Sequence, residues 1–131
     1  MHDKFDVFST GVLTREPQTI TAVVNIANLD KHKTRKIVVE VLDWSTYSNP
    51  IKVPVLIGEN EPVVFPYELQ PKNLAVMYAD LDETVSLYEI RIQYLHNANI
   101  IANCFGRSRP PYTSQVGNTV LQSSLIDIGK S

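Results

Sequence analysis

Residues 86–96, Ser-Leu-Tyr-Glu-Ile-Arg-Ile-Gln-Tyr-Leu-His, decide the fold class. Tyr88, Ile90, Ile92 and Tyr94 fall on one side of an extended chain, and Glu89, Arg91 and Gln93 on the other. A period of two sustained over this length is the pattern of a strand with one buried face, since a helix would scatter the same residues around its circumference. Outward from this stretch the pattern recurs about every dozen residues. Ile20, Ala22, Val24 and Ile26 share one face. Ile37, Val39 and Val41 share another, and Glu40 lies opposite among Val38, Leu42 and Trp44, so residues 36–44 read as a central strand with apolar residues on both sides. Residues 51–57 and 63–69 alternate as well, but Pro50, Pro54 and Pro66 cannot donate to a ladder, which places both segments at sheet edges. Residues 74–79 form a further short strand. In residues 99–106, Ile100, Ala102 and Cys104 take one side and Ile101, Asn103 and Phe105 the other.

The composition agrees. Val, Ile and Thr supply 35 of 131 residues against 6 alanines, and these stiff side chains suit a pleated surface better than a helix. Eight prolines leave few windows for a helix of three turns. The expected fold is all-β: an antiparallel β-sandwich, immunoglobulin-like or jelly-roll, of about seven to nine strands. Residues 18–106 form the sandwich, residues 1–17 an N-terminal extension or extra strand, and residues 107–131 a C-terminal extension with room for an added strand. Within that tail, Leu121, Leu125 and Ile128 at i, i+4, i+7 fit a helix, whereas Leu125-Ile126-Asp127-Ile128 fits a strand. The β character of the rest favours the strand.

No residue pattern names a reaction. His2, His32, His96 and Cys104 include no pair at the short spacings of zinc sites. Asp80-x-Asp82-Glu83 is an acidic turn without a calcium-loop pattern around it. The five glycines form no phosphate-binding loop. Cys104 sits mid-strand on the Ile100 and Ala102 face, where a thiol is a small buried hydrophobe, so a nucleophile paired with His96 is the weaker reading. The expectation is a protein that is not an enzyme, with no catalytic, cofactor-binding or metal residues and no cofactor. Lys31, His32, Lys33, Arg35 and Lys36 make a basic turn, but the chain carries a formal net charge of −2 and no aromatic platform adjoins that turn, which speaks against nucleic acid. No apolar run of 18 residues is present for membrane insertion. Met1-His2-Asp3-Lys4-Phe5-Asp6 has no apolar secretory core, so synthesis in the cytoplasm is expected.

What remains is assembly. Both chain ends are apolar and the proline-marked edges offer a place to lay them, so one terminal segment, 5–13 or 115–128, is expected to complete the sandwich of an adjacent copy. The partner is then the chain itself, as an oligomer or filament, with a surface polymer as a further candidate. The residues expected to carry these contacts are Phe5, Val7 and Phe8; the basic Lys31, Lys33 and Arg35; the acidic Asp80, Asp82 and Glu83; Arg107 and Arg109 of the stiff exit Arg107-Ser108-Arg109-Pro110-Pro111-Tyr112; and Leu121, Leu125 and Ile128. If the basic and acidic turns lie at opposite ends, head-to-tail contacts are favoured. If they lie at one end, they neutralise each other. The runner-up is a carbohydrate-binding module stacking sugars on Trp44, Tyr47, Tyr67, Tyr78 and Tyr112.

The runs Val23-Val24-Asn25, Val39-Glu40-Val41-Leu42-Asp43-Trp44 and Tyr88-Glu89-Ile90-Arg91-Ile92 resemble immunoglobulin-like sandwiches, in which a tyrosine near the start of a strand follows an acidic corner. Phe8-Ser9-Thr10-Gly11-Val12-Leu13 and the Val-Leu-Asp-Trp run resemble small β-proteins of spore-forming Gram-positive bacteria, the class of endospore appendages and surface fibres. That resemblance implies a structural subunit that polymerises by strand donation and is deposited on a spore or cell surface. The cysteine-rich N-terminal connector of appendage subunits has no counterpart here, so covalent cross-linking is not implied.

Overall fold

A computed structural model describes residues 5–108 and 114–130 of the chain. Its thirteen strands are β1 (Phe5–Ser9), β2 (Leu13–Thr14), β3 (Thr21–Asn28), β4 (Arg35–Asp43), β5 (Ile51–Val53), β6 (Leu56–Ile57), β7 (Glu61–Pro62), β8 (Tyr67–Leu69), β9 (Leu74–Asp80), β10 (Leu87–Leu95), β11 (Ile100–Arg107), β12 (Ser114–Val120) and β13 (Ile126–Lys130). Eight of them have five or more residues, and the other five are short pieces of two or three. A single 3₁₀ turn, Gln122–Ser124, separates β12 from β13, so the tail is extended as expected rather than helical.

The strands form two antiparallel sheets. The first runs β13-β1-β10-β4-β5, with β2 also on β10 and β8 also on β4; the second runs β12-β11-β3-β9-β6-β7. The core between them is built from the alternating faces. Ala22, Val24 and Ile26 of β3, Ala75, Met77 and Ala79 of β9, and Ala102 and Cys104 of β11 meet Ile37, Val39 and Val41 of β4 and Tyr88, Ile90 and Ile92 of β10, all essentially without solvent contact. Each large side chain so buried contributes about 1.5–3 kcal/mol of transfer free energy. The chain is therefore an all-β antiparallel sandwich.

Two features depart from a simple meander. The segments expected as strands 51–57 and 63–69 are each broken at a proline. β5 pairs with Leu42 and its neighbours in the first sheet, and after Pro54 the chain crosses to pair β6 with β9 in the second. It returns through residues 63–66 to place β8 against the start of β4. A proline lacks the N–H that would continue a ladder, so Pro54 and Pro66 are where the chain changes sheets.

The ends are also part of the body. β1 lies between β10 and β13, and β12 forms the edge of the second sheet beside β11. The terminal segments expected to reach into a neighbouring copy instead complete the sandwich of their own chain. Asn118 fastens the C-terminal strand to the N-terminal loop: its Oδ1 accepts from Thr19 Oγ1 at 2.8 Å and from the Glu16 N–H at 2.8 Å, and its Nδ2 donates to Thr14 O at 2.9 Å. Gly106 lets this knot close, because a Cβ there would stand 2.6 Å from Thr19 Cγ2.

Candidate functional site

The two outer faces differ in kind. On the first sheet, charged side chains knit the surface together. The buried Glu89 carboxylate accepts from Trp44 Nε1 at 2.9 Å, from Ser9 Oγ at 2.5 Å and from Arg91 Nε at 3.0 Å. Burial pushes its pKa up, but the three donors outweigh that and hold the carboxyl below the ordinary range. Glu40 accepts from Lys52 Nζ at 3.1 Å and from Gln93 Nε2 at 3.3 Å.

The outer face of the second sheet carries an exposed apolar strip among polar residues. Register places Ile101, Ala27 and Leu74 in one row across β11, β3 and β9, then Asn103, Asn25 and Val76, then Phe105, Val23 and Tyr78, then Arg107, Thr21 and Asp80. Leu74 is 62% exposed, Ile101 40% and Val76 39%. Val23, fully buried, lies between the half-buried Phe105 and Tyr78. The strand alternation produces this face for a simple reason. Ala75, Ala79, Ala102 and Cys104 are the small residues, and they turn inward, which leaves Leu74, Val76, Ile101 and Phe105 outside.

Charge brackets the patch. β9 runs antiparallel to β3, so the acidic turn beginning at Asp80 lies by Thr21, at the end opposite the β3–β4 turn that holds Lys31 and Lys33. Lys72, just before Leu74, joins the basic end. Glu59 and Glu61 join the acidic half through their turn, which is pinned to Tyr78: the hydroxyl donates to Gly58 O at 2.7 Å and accepts from the Asn60 N–H at 2.8 Å. Arg107 sits over the Tyr78 ring at 5.9 Å. Of the two arrangements left open by the sequence, the basic turn and the 80–83 turn are therefore at opposite ends.

The expected contact residues fare unequally. Lys31, Lys33, Asp80 and Glu83 are exposed, and Leu121 and Ile128 are exposed near the C terminus. Asp82 is turned to its own loop, accepting from the Thr84 N–H at 2.8 Å and from its hydroxyl at 2.5 Å, which lowers its pKa. Arg35 is buried and paired, Nε to Asp30 Oδ2, at 2.6 Å; that hydrogen bond lowers the Asp30 pKa. Phe8 is half-buried against the core and stacked on Tyr94 with centroids 5.0 Å apart, Val7 is buried, and Phe5 and Leu125 are half-buried, Leu125 against the core. Arg109 lies outside the described residues. The aromatic residues do not form one platform: Trp44 and Tyr47 share the turn after β4, Tyr67 packs on the core, Tyr78 is on the second sheet, and Tyr112 lies outside the described residues.

Burial pushes the Cys104 thiol up to about 12. Among the described residues no group of three His, Cys, Asp or Glu side chains could hold a metal ion, and no helix is long and apolar enough to cross a membrane.

No protein-family model matches the chain, and no curated protein matches it by sequence. Among solved structures, the crystal structure of Thermotoga maritima 1070 is similar over 98% of this chain and 97% of that one, at 15% identity and a TM-score of 0.44. A likeness at that level assigns no activity.

Proposed function

We propose that this protein is a non-enzymatic structural module that associates with copies of itself through the outer face of the second sheet. The observation that carries the reading is the exposed strip Leu74, Val76 and Ile101, bracketed by lysines at one end and carboxylates at the other. Apolar surface removed from water supplies the drive. The charges select the arrangement. Rotating a second copy by half a turn about an axis through the Asn25 and Asn103 row lays Leu74 and Ile101 of one copy toward the Tyr78 row of the other. Lys31, Lys33 and Lys72 then come over the Asp80, Asp82 and Glu83 end at both edges. Such a contact is self-complementary and closed. Head-to-tail stacking would also match opposite poles, but it would leave the apolar strip in water. The same strip would serve a surface layer or fibre if a second contact, through Leu121 and Ile128, joined closed pairs.

Sedimentation equilibrium at about 100 μM, where even a weak pair forms, tests the reading. The expected species is a dimer that Leu74→Lys and Ile101→Lys each convert to a folded monomer, and that raised salt weakens by screening the poles. A wild-type monomer at that concentration, or a dimer indifferent to both substitutions, would overturn it.

A further inference from the structure

A cavity of about 480 Å³ opens on the outer side of the second sheet, at its acidic end. Its floor is the row Arg107, Thr21 and Asp80, one residue from each of β11, β3 and β9. Neighbouring strands lie about 4.8 Å apart, so the two charged residues leave the sheet from backbones about 10 Å apart, with Thr21 between them. One wall is the turn through Gly58 and Asn60, fixed by its hydrogen bonds to the Tyr78 hydroxyl. Ile20 and the exposed Val76 supply an apolar lining.

The two charges share this cavity without meeting. No ion pair joins Arg107 to Asp80. The guanidinium is held over the Tyr78 ring, 5.9 Å from its centre, and the exposed Asp80 carboxylate accepts no hydrogen bond among the described residues. Thr21 is 4% exposed, and its hydroxyl also makes no hydrogen bond among the described residues, so a donor and acceptor remains available on the floor. A ligand of one sign would satisfy one side of the cavity and be repelled by the other. A ligand carrying both signs satisfies both, through charge-assisted hydrogen bonds that are stronger than neutral ones.

We infer that this cavity binds a free α-amino acid with an aliphatic side chain. The carboxylate would lie against Arg107, the ammonium against Asp80 beside the Thr21 hydroxyl, and the side chain against Val76 and Ile20. The site lies within the face assigned to self-association but does not depend on that reading. A ligand and a second copy would compete for the Tyr78 row.

L-Valine is the probe, titrated into the ¹⁵N-labelled wild type and into Ile101→Lys, whose substitution lies three rows from Asp80 and removes the competing copy. A saturable amide shift centred on Thr21 and Asp80 is expected in both; if the chain does not self-associate, the two proteins bind valine alike and the site stands. Isovalerate, which lacks the ammonium, and isobutylamine, which lacks the carboxylate, should each bind about tenfold more weakly or worse. Asp80→Asn, at an exposed side chain, is expected to weaken valine about fivefold or more and to leave isovalerate unweakened. Arg107→Gln should do the converse, weakening valine and sparing isobutylamine; if that variant does not fold, Asp80→Asn decides. No saturable shift in either protein, equal affinity for valine and either analogue, an unchanged valine preference in Asp80→Asn, or tighter binding of glucose than of valine would each overturn the proposal.

Discussion

Asn118 Oδ1 accepts a hydrogen bond from Thr19 Oγ1 at 2.8 Å, across 99 residues of chain and in a place where both side chains are buried. This contact makes the C-terminal strand a fixed edge of the sandwich rather than an arm free to reach a neighbour. Asn118→Ala would leave Thr19, the Glu16 N–H and the Thr14 carbonyl without that partner. At about 1 kcal/mol for each bond lost, more where the orphan is buried, a cost of about 3 kcal/mol is expected. Urea titration checks it, with the midpoint falling and the slope unchanged.

Glu89 predicts an acid dependence. Its folded pKa lies below the unfolded value of about 4.3. A depressed carboxylate stabilises the fold fully above its unfolded pKa, and that contribution is lost as pH falls through about 4 and below. Glu89→Gln should therefore cost about 2 kcal/mol at pH 7 and much less at pH 3. Thermal melts of both proteins across that range give the difference directly; a cost that does not shrink with acidity contradicts it.

Tyr88 predicts the opposite sign. Its ring fills the core, but its buried hydroxyl has no hydrogen-bond partner among the described residues, and burial raises its pKa. Tyr88→Phe keeps the ring and removes the desolvated group. Stability should hold or rise by about 1 kcal/mol in the same urea assay.

Cys104 should be silent to thiol reagents. With the thiol buried and its pKa near 12, labelling at pH 7 proceeds only through opening of the sandwich. The labelling rate is then expected to follow the unfolding equilibrium and to rise with sub-denaturing urea. Fast labelling of the native protein would instead restore the reading of a reactive cysteine.

The core was legible in the sequence because alternation needs no knowledge of partners. Tyr88, Ile90, Ile92, Tyr94 and the Ile37, Val39, Val41 set were assigned to buried faces by period alone, and they are buried. The second sheet's outer face was less legible. In residues 74–79 both sides are apolar, and only residue size, with Ala75 and Ala79 small and Leu74 and Val76 large, separates inside from outside. Pro54 and Pro66 did mark edges. That the β5 pairing stops opposite Val41 and the β8 pairing starts opposite Ile37 depends on β5 and β8 sharing β4 as one neighbour, which is a long-range fact no local pattern carries. The fate of the ends was hidden for the same reason: apolar termini and open edges are equally consistent with pairing inside a chain or between chains.

The position of β1 between β10 and β13 has a consequence for biosynthesis. Phe5–Ser9 is translated before both of its partners: one flank cannot be covered until residues 87–95 are made, and the other must wait for 126–130. At the usual rates of elongation this strand spends several seconds with both ladder edges unpaired. Its phenylalanines and valine flank Asp6, whose charge on the waiting strand opposes edge-to-edge pairing between nascent chains. β13, made well after β1, is the strand that seals its open flank.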